Sequence, residues 1–248
     1  MILDGWGEGE QNESNPIYVV NPKTINSLKY SFPCGLLQAS GIAVGLPWNE
    51  EGNSEVGHLT LGAGRIIHQN YPRITLSIKN GSFFQNPALL GAYEHAKKNN
   101  SRVHIVGLLA APSTYVHSSL DHLLALIKFA HQEQVNYDLH LFTDGRDSPP
   151  YSSLEIIKSL GEEAKNIASL SGRYFSMDRA KHWDRTFKAY KVLIGESNLI
   201  ENYEEQIRII HQKFSDEYIE PILIGPTNRG IKDNDSIVFF NFREDRMR

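Results

Sequence analysis

Cysteine occurs once in the 248 residues, at Cys34, so no disulfide can form within the chain and a reducing compartment suits it. A basic excess is also absent: 25 Lys and Arg stand against 29 Asp and Glu, a net charge of −4. That balance argues against general nucleic-acid binding, which calls for a basic surface. No uncharged apolar run approaches the length needed to span a bilayer, and the start, "MILDGWGEGE", lacks the charged head and apolar core of a signal peptide. Internal repeats, coiled-coil heptads and low-complexity tracts are missing as well. A soluble, cytoplasmic protein with no nucleic-acid and no membrane partner is the expectation.

What is present is ordinary globular composition, 40% hydrophobic and 22% charged, in a chain long enough for one or two domains. "MILDGWG" reads as the tail of a short strand ending in Asp4, and "NPKTINSLKY" as a helix capped by Asn21 with Pro22 at its first position. From about residue 70 the pattern becomes regular. "NPALLGAYEHAKK", "SSLDHLLALIKFAHQE", "SSLEIIKSLGEEAKNIA", "HWDRTFKAYKVLI" and "YEEQIRIIHQKF" have helical spacing, the third opening with Ser152 and Glu155 placed as a capping box. "RVHIVGLL", "YDLHLFTDG", "GRYFSM", "EPILIG" and "SIVFFNF" read as strands. Strands alternating with helices predict an α/β domain with a largely parallel sheet. The interruption "YPRI" places a domain junction near Asn70 to Ile74, giving segments 1–70 and 71–248. A start inside what should be a buried strand, and an end directly after a strong one, predict a piece of a longer protein.

Chemistry gathers at a few points. "GNSEVGH" sets Ser54 before the mostly apolar "LTLGAGRII". Such a serine commonly caps a helix. Alternatively, a hydroxyl facing free N–H groups and the positive end of a helix dipole suits an oxygen that must carry phosphate. Asp4 reads either as a turn cap or as a hard oxygen ligand for a divalent cation. Arginines mark strand ends: Arg146 beside Asp147 in "TDGRDSPP", Arg173 and Arg179 in "GRYFSMDR", Arg243 and Arg246 in "FFNFREDR". Singly, each reads as an ordinary surface ion pair. As a set they suit a small, multiply anionic ligand, because ligands of open α/β sheets bind beyond the carboxyl ends of strands and guanidinium forks match carboxylate and phosphate. His58 reads as structural, Asp121-His122 is explained by the apolar periodicity of its helix, and "LGAGR" follows no clear strand and carries no dinucleotide signal.

The ordered motifs "ILDGWG", "GNSEVGHLTLGAGR", "VHS", "DGRDSPP", "GRYFSMDR", "HWDR" and "FFNFREDR" resemble the cofactor-independent (2,3-bisphosphoglycerate-independent) phosphoglycerate mutases over the whole chain. The resemblance implies the N-terminal part of an alkaline-phosphatase-like domain in residues 1–70 and an inserted α/β transferase domain in 71–248. It implies interconversion of 3- and 2-phosphoglycerate through phosphorylated Ser54, with Asp4 and Ser54 among the ligands of two divalent metal ions, usually manganese. It further implies His117, Arg146, Asp147, Arg173, Arg179, Arg243 and Arg246 as substrate-binding residues, and a monomer when complete. The chain departs from the family pattern in the loop before His117, which is longer, and at Ser119, Ala180 and His182. The family's remaining metal ligands match no residue here, so the chain alone is expected to be inactive. A related metal-dependent phosphatase or phosphomutase, and an anion-binding remnant without catalysis, are the competing readings.

Overall fold

The computed structural model describes residues 2–243, Arg246 and Met247, and the chain divides into two units, Met1–Pro72 and Arg73–Arg248. The first unit is helical among its described residues, with α1 (Pro16–Val20), α2 (Lys23–Ser31), a 3-10 turn Gly41–Val44 and α3 (Ser54–Ala63). Its buried cluster is small, Val44, Leu46 and Val56. The expected strand before Asp4 is replaced by a turn at Asp4–Gly5, and Met1 lies outside the described residues. The Asn-Pro start operates one motif earlier than expected. Asn15 caps α1 with Pro16 next to it, whereas Asn21 ends that helix in the left-handed region (φ 47°), a conformation asparagine tolerates. The "YPRI" interruption falls inside a helix, α4 (Asn70–Lys79), with Pro72 in its first turn. There a missing N–H costs nothing, because the first-turn donors have no intrahelical partner.

The second unit is built on a six-stranded sheet. After a 3-10 turn, Ser82–Gln85, come α5 (Pro87–Lys98), β1 (Val103–Leu109), α6 (Leu120–Glu133), β2 (Tyr137–Thr143) and α7 (Ser153–Ser159). A 3-10 turn, Gly161–Asn166, leads to β3 (Ile167–Gly172), α8 (Arg173–Ser176), α9 (Trp183–Leu193), β4 (Leu199–Ile200) and α10 (Tyr203–His211). A last 3-10 turn, Asp216–Tyr218, precedes β5 (Ile222–Ile224) and β6 (Ser236–Phe239). The spatial order is β4-β5-β3-β2-β1-β6. β3, β2, β1 and β6 run parallel, and β5 joins β3 antiparallel with β4 parallel to β5. Every residue of β1, β2 and β3 is buried, as expected where helices cover both faces of a parallel sheet.

Two expectations are corrected here. "GRYFSM" is not a strand: the strand ends at Gly172, and Arg173 opens the one-turn helix α8. The long helix expected from Ser152 stops at Ser159, and "IASLSG" supplies β3 instead. By contrast, α5 starts as read, with Pro87 at its first position and the Asn86 side chain accepting from Ala88 N (2.9 Å) and Leu89 N (3.3 Å).

A buried polar chain crosses the sheet. Ser169 Oγ lies 2.7 Å from His140 Nδ1, His140 Nε2 lies 2.8 Å from His104 Nδ1, and His104 Nε2 lies 2.9 Å from Asp235 Oδ2. A carboxylate can only accept, so Nε2 of His104 donates. His104 Nδ1 then accepts from His140 Nε2–H, and His140 Nδ1 accepts from the Ser169 hydroxyl. Both imidazoles are satisfied while neutral. Burial works against a charge on Asp235, yet the bond from His104 and the N–H groups of Lys232 and Arg102 hold its carboxyl below the usual range.

Candidate active site

Four parallel strands deliver their carboxyl ends to one region of the second unit. β1 leads to the segment carrying His117, β2 to Asp144–Asp147, β3 to Arg173, and β6 to Asn241–Arg243. These connections are tied together. The Asn241 side chain accepts from Leu108 N (2.8 Å), Phe242 N–H donates to His117 O (2.9 Å), Ser118 Oγ donates to Leu108 O (2.6 Å), and Ser148 Oγ accepts from Ala111 N (2.9 Å).

Arg173 is the centre. Its side chain is 4% exposed, and Nη1 donates to Asp144 Oδ1 (2.5 Å) and Asp147 Oδ2 (2.6 Å). Its Nη2 donates to His117 Nε2 at 3.0 Å. An imidazole that accepts at Nε2 carries its proton on Nδ1. Burial first, then the charges of Arg173, Arg243 and Arg246, push the His117 pKa down to about 4 against the opposing pull of Asp147, so His117 is neutral near pH 7. Its Nδ1 is buried and has no hydrogen-bond partner. A buried donor without an acceptor costs free energy, and an acceptor atom from a ligand would relieve it. For Asp147, burial raises the carboxyl, but the Arg173 bond and the charges of Arg173 and Arg146 outweigh it and hold the group below its ordinary value.

The loop between β2 and α7 is shaped by Asp144, which no sequence signal singled out although it begins the "DGRD" run. Its carboxylate accepts from Arg146 N (3.4 Å), Asp147 N (3.2 Å), Ser148 N (2.8 Å) and Ser148 Oγ (2.7 Å). This is the turn that aspartate favours. Gly145 follows at φ +68°. The short side chain and the left-handed glycine together are the signal that could have located it.

The remaining arginines sit around this centre. Arg146 pairs with Glu217 at 3.5 Å and is mostly exposed. Arg246 donates to Met177 O (2.8 Å). Arg243 is exposed and within electrostatic reach of His117. Arg179 is exposed on the loop after α8, where Asp178 accepts from Ala180 N (3.0 Å), His182 N (2.9 Å) and His182 Nδ1 (2.9 Å). The structure thus joins His117, Asp147 and Arg173 directly, places Arg243 and Arg246 in their field, and gives Arg146 a different partner.

In the first unit, Ser54 Oγ–H points at Asp4, with Oδ2 at 2.8 Å and Oδ1 at 3.0 Å. Both line a cavity of about 500 Å³ with Trp6, Gly52, Asn53 and His58. The cap of α3 is Asn53, whose side chain accepts from Val56 N (3.2 Å), so the Ser54 hydroxyl is not engaged in capping. His58 Nδ1 is 2.7 Å from Ser54 O, a structural contact with the backbone. Carboxylate and hydroxyl oxygens are the donors a hard cation prefers, but such an ion takes about six. Among the described residues no group of three or more His, Cys, Asp or Glu is placed to hold a metal ion. These two donors do not amount to a metal site by themselves.

The family profile described as "BPG-independent PGAM N-terminus" matches residues 74–248. The chain belongs to this family. The chain is 44% identical to 2,3-bisphosphoglycerate-independent phosphoglycerate mutase 1 of Methanosarcina barkeri, aligning all of this chain with 50% of that protein. Identity to the mutase of Antithamnion sp. is 45%, with the same coverage. The fold is similar to that of Leishmania mexicana phosphoglycerate mutase in crystals at low cobalt concentration, with a TM-score of 0.72 and 27% identity over 99% of this chain and 48% of that one. The chain therefore spans about half the length of the relatives it matches. No helix among the described residues is long and apolar enough to cross a membrane.

Proposed function

We propose that the second unit binds a small phosphorylated hydroxy acid, with 3- and 2-phosphoglycerate as the pair exchanged, and that Ser54 is the residue that carries the phosphoryl group. The observation carrying this reading is the Arg173 centre: a buried guanidinium, an unpaired His117 Nδ1–H and Arg243 and Arg246 nearby form a donor-rich cluster at four strand ends. His117, Arg173, Arg179, Arg243 and Arg246 supply donors for carboxylate and phosphate oxygens, and Asp147 accepts from a glycerate hydroxyl. Arg146 joins them by exchanging Glu217 for the ligand.

Transfer to Ser54 forms the Oγ–P bond and breaks the bond from phosphorus to the glycerate oxygen. The hydroxyl proton passes to Asp4, which already accepts the hydrogen bond, and the departing glycerate alkoxide takes up one proton from water. Return of the phosphoryl group to the other hydroxyl reverses these steps. Manganese-type cations are the expected metal of this chemistry, but the Asp4 and Ser54 oxygens do not complete a site for one. The donor count favours a second reading, in which this chain holds the anion without turning it over.

Titration of the chain with 3-phosphoglycerate, followed by calorimetry and by the ¹H–¹⁵N signals of His117, tests the site. Binding that loses about tenfold or more in Arg173→Lys supports it, since lysine keeps the charge and loses the fork. Equal binding by that variant overturns it. An enolase-coupled assay with manganese is expected to show no turnover; turnover abolished by Ser54→Ala would show that the donor count misjudged the metal site.

A further inference from the structure

Asp216 belongs to no motif, yet it is 1% exposed and touches both ends of the loop that carries Arg146 and Asp147. Its N–H donates to Pro150 O (2.8 Å), and its carbonyl accepts from Thr143 Oγ1 (2.7 Å). Its carboxylate accepts from Ser153 N (2.8 Å) and from the Ser153 hydroxyl, at the start of α7. His211 Nε2, from α10, lies 2.7 Å from the same carboxylate, with the Tyr151 ring edge-on against that imidazole. The expected local cap does not operate, because the Ser152 hydroxyl donates to Pro149 O.

The neighbours of Asp216 reach the other half of the cluster. Glu217 pairs with Arg146. A Cβ on Gly172 would meet Glu217 O at 2.2 Å, and Gly172 N–H donates to Ile219 O (2.6 Å). One short segment, 216–219, therefore underlies both the 144–150 loop and the strand end that launches Arg173. A serine or asparagine would cap a helix without burying a charge; a carboxylate held 63 residues away in sequence gives stronger, charge-assisted bonds that fix the loop to a second element.

We infer that Asp216 is a positioning residue for the anion site: oriented by His211, it holds the first turn of α7 and thereby the loop in the shape where Asp147 meets Arg173. It touches no ligand itself. The inference rests on the proposed reading of that loop as anion-binding, and the test separates the two.

Asp216→Asn keeps the shape and one acceptor oxygen. At a temperature where circular dichroism shows wild type and variant equally folded, the Arg146, Asp147 and Ser148 amides should exchange about tenfold faster than wild type, relative to the β1 amides. Affinity for 3-phosphoglycerate should fall about tenfold, and the Arg173 Nε–H signal should shift. Ser152→Ala should change none of these. A lowered melting temperature with loop exchange, Arg173 signal and affinity unchanged would reduce Asp216 to a helix cap and overturn the inference. Wild type that fails to bind 3-phosphoglycerate would sink the functional reading, while loop exchange and the Arg173 signal still judge the positioning role. Should Asp216→Asn not fold, Ser153→Ala removes a single bond to the carboxylate, and the same shifts at smaller size are expected; their absence counts against the inference.

Discussion

Replacing Arg173 by alanine removes the only guanidinium that touches Asp144, Asp147 and His117 together among the described contacts. The Arg173 side chain is 4% exposed and that of Asp144 is 1% exposed, so the pair is fully buried, whereas Asp147 at 26% regains water when its partner leaves. Stripping one partner from a buried pair costs about 3–5 kcal/mol. The lower end, about 3 kcal/mol, applies here because Asp144 keeps four donors from Arg146, Asp147 and Ser148. For a unit of this size each kcal/mol shifts the melting temperature by about 2–4 °C, which predicts a fall of about 6–12 °C. Urea and thermal unfolding of Arg173→Ala, Asp144→Asn and the double variant complete a cycle. The double variant should lose about 2 kcal/mol less than the sum of the singles, as expected for contacting charges. A loss below about 1 kcal/mol in Arg173→Ala, or additivity within about 0.5 kcal/mol, would refute the buried-pair argument.

Acid should destabilise the fold well above the carboxylate range. Burial, with His104 and Arg229 adding to it, pushes His140 down to about 3, so the unfolded chain takes up a proton that the folded chain refuses. Stability is then complete above about pH 6.5 and falls toward pH 3 by about 1.4 kcal/mol per unit for this group, and His122, held down to about 4 mainly by burial, adds to the slope. Urea midpoints at pH 7, 5.5 and 4.5 measure it, and His140→Gln should give a shallower slope; a flat profile would contradict the assignment. Gly172→Ala puts a Cβ at 2.2 Å from Glu217 O, a backbone atom that cannot rotate away, and should cost about 3 kcal/mol or leave no folded protein by circular dichroism. Asn86→Ala should cost about 1 kcal/mol with Asn86→Gly closer to wild type, read from the same melts, because only the α5 cap is lost.

The parts of the fold readable from the sequence are those set by local pattern. β1 and β2 are short apolar runs between helical periods, and α5 and α6 carry their own spacing and, for α5, its own cap. β3 is hidden because "IASLSG" sets only two large apolar residues, Ile167 and Leu170, among small and polar ones, and its Ser169 finds its partner, His140, on another strand. The antiparallel β5 and the α7 cap from Asp216 depend on chain segments far apart in sequence, which no local spacing announces. At the site, arginines at strand ends gave His117, Asp147 and Arg173 their meeting place through the parallel sheet. Asp144 escaped because its work is to bond backbone N–H groups, an effect that one-letter motifs do not display.

The chain from Ser169 through His140 and His104 to Asp235 has a direction, and direction constrains inheritance. Each member must offer a donor on one side and an acceptor on the other, except the two ends. A replacement at one position leaves its neighbour facing the wrong partner in the interior, at about 1–3 kcal/mol. Sequence drift through these four positions must therefore cross a less stable intermediate, or move two residues at once. In related chains the four should appear as one linked set, or be exchanged together for apolar side chains of similar volume.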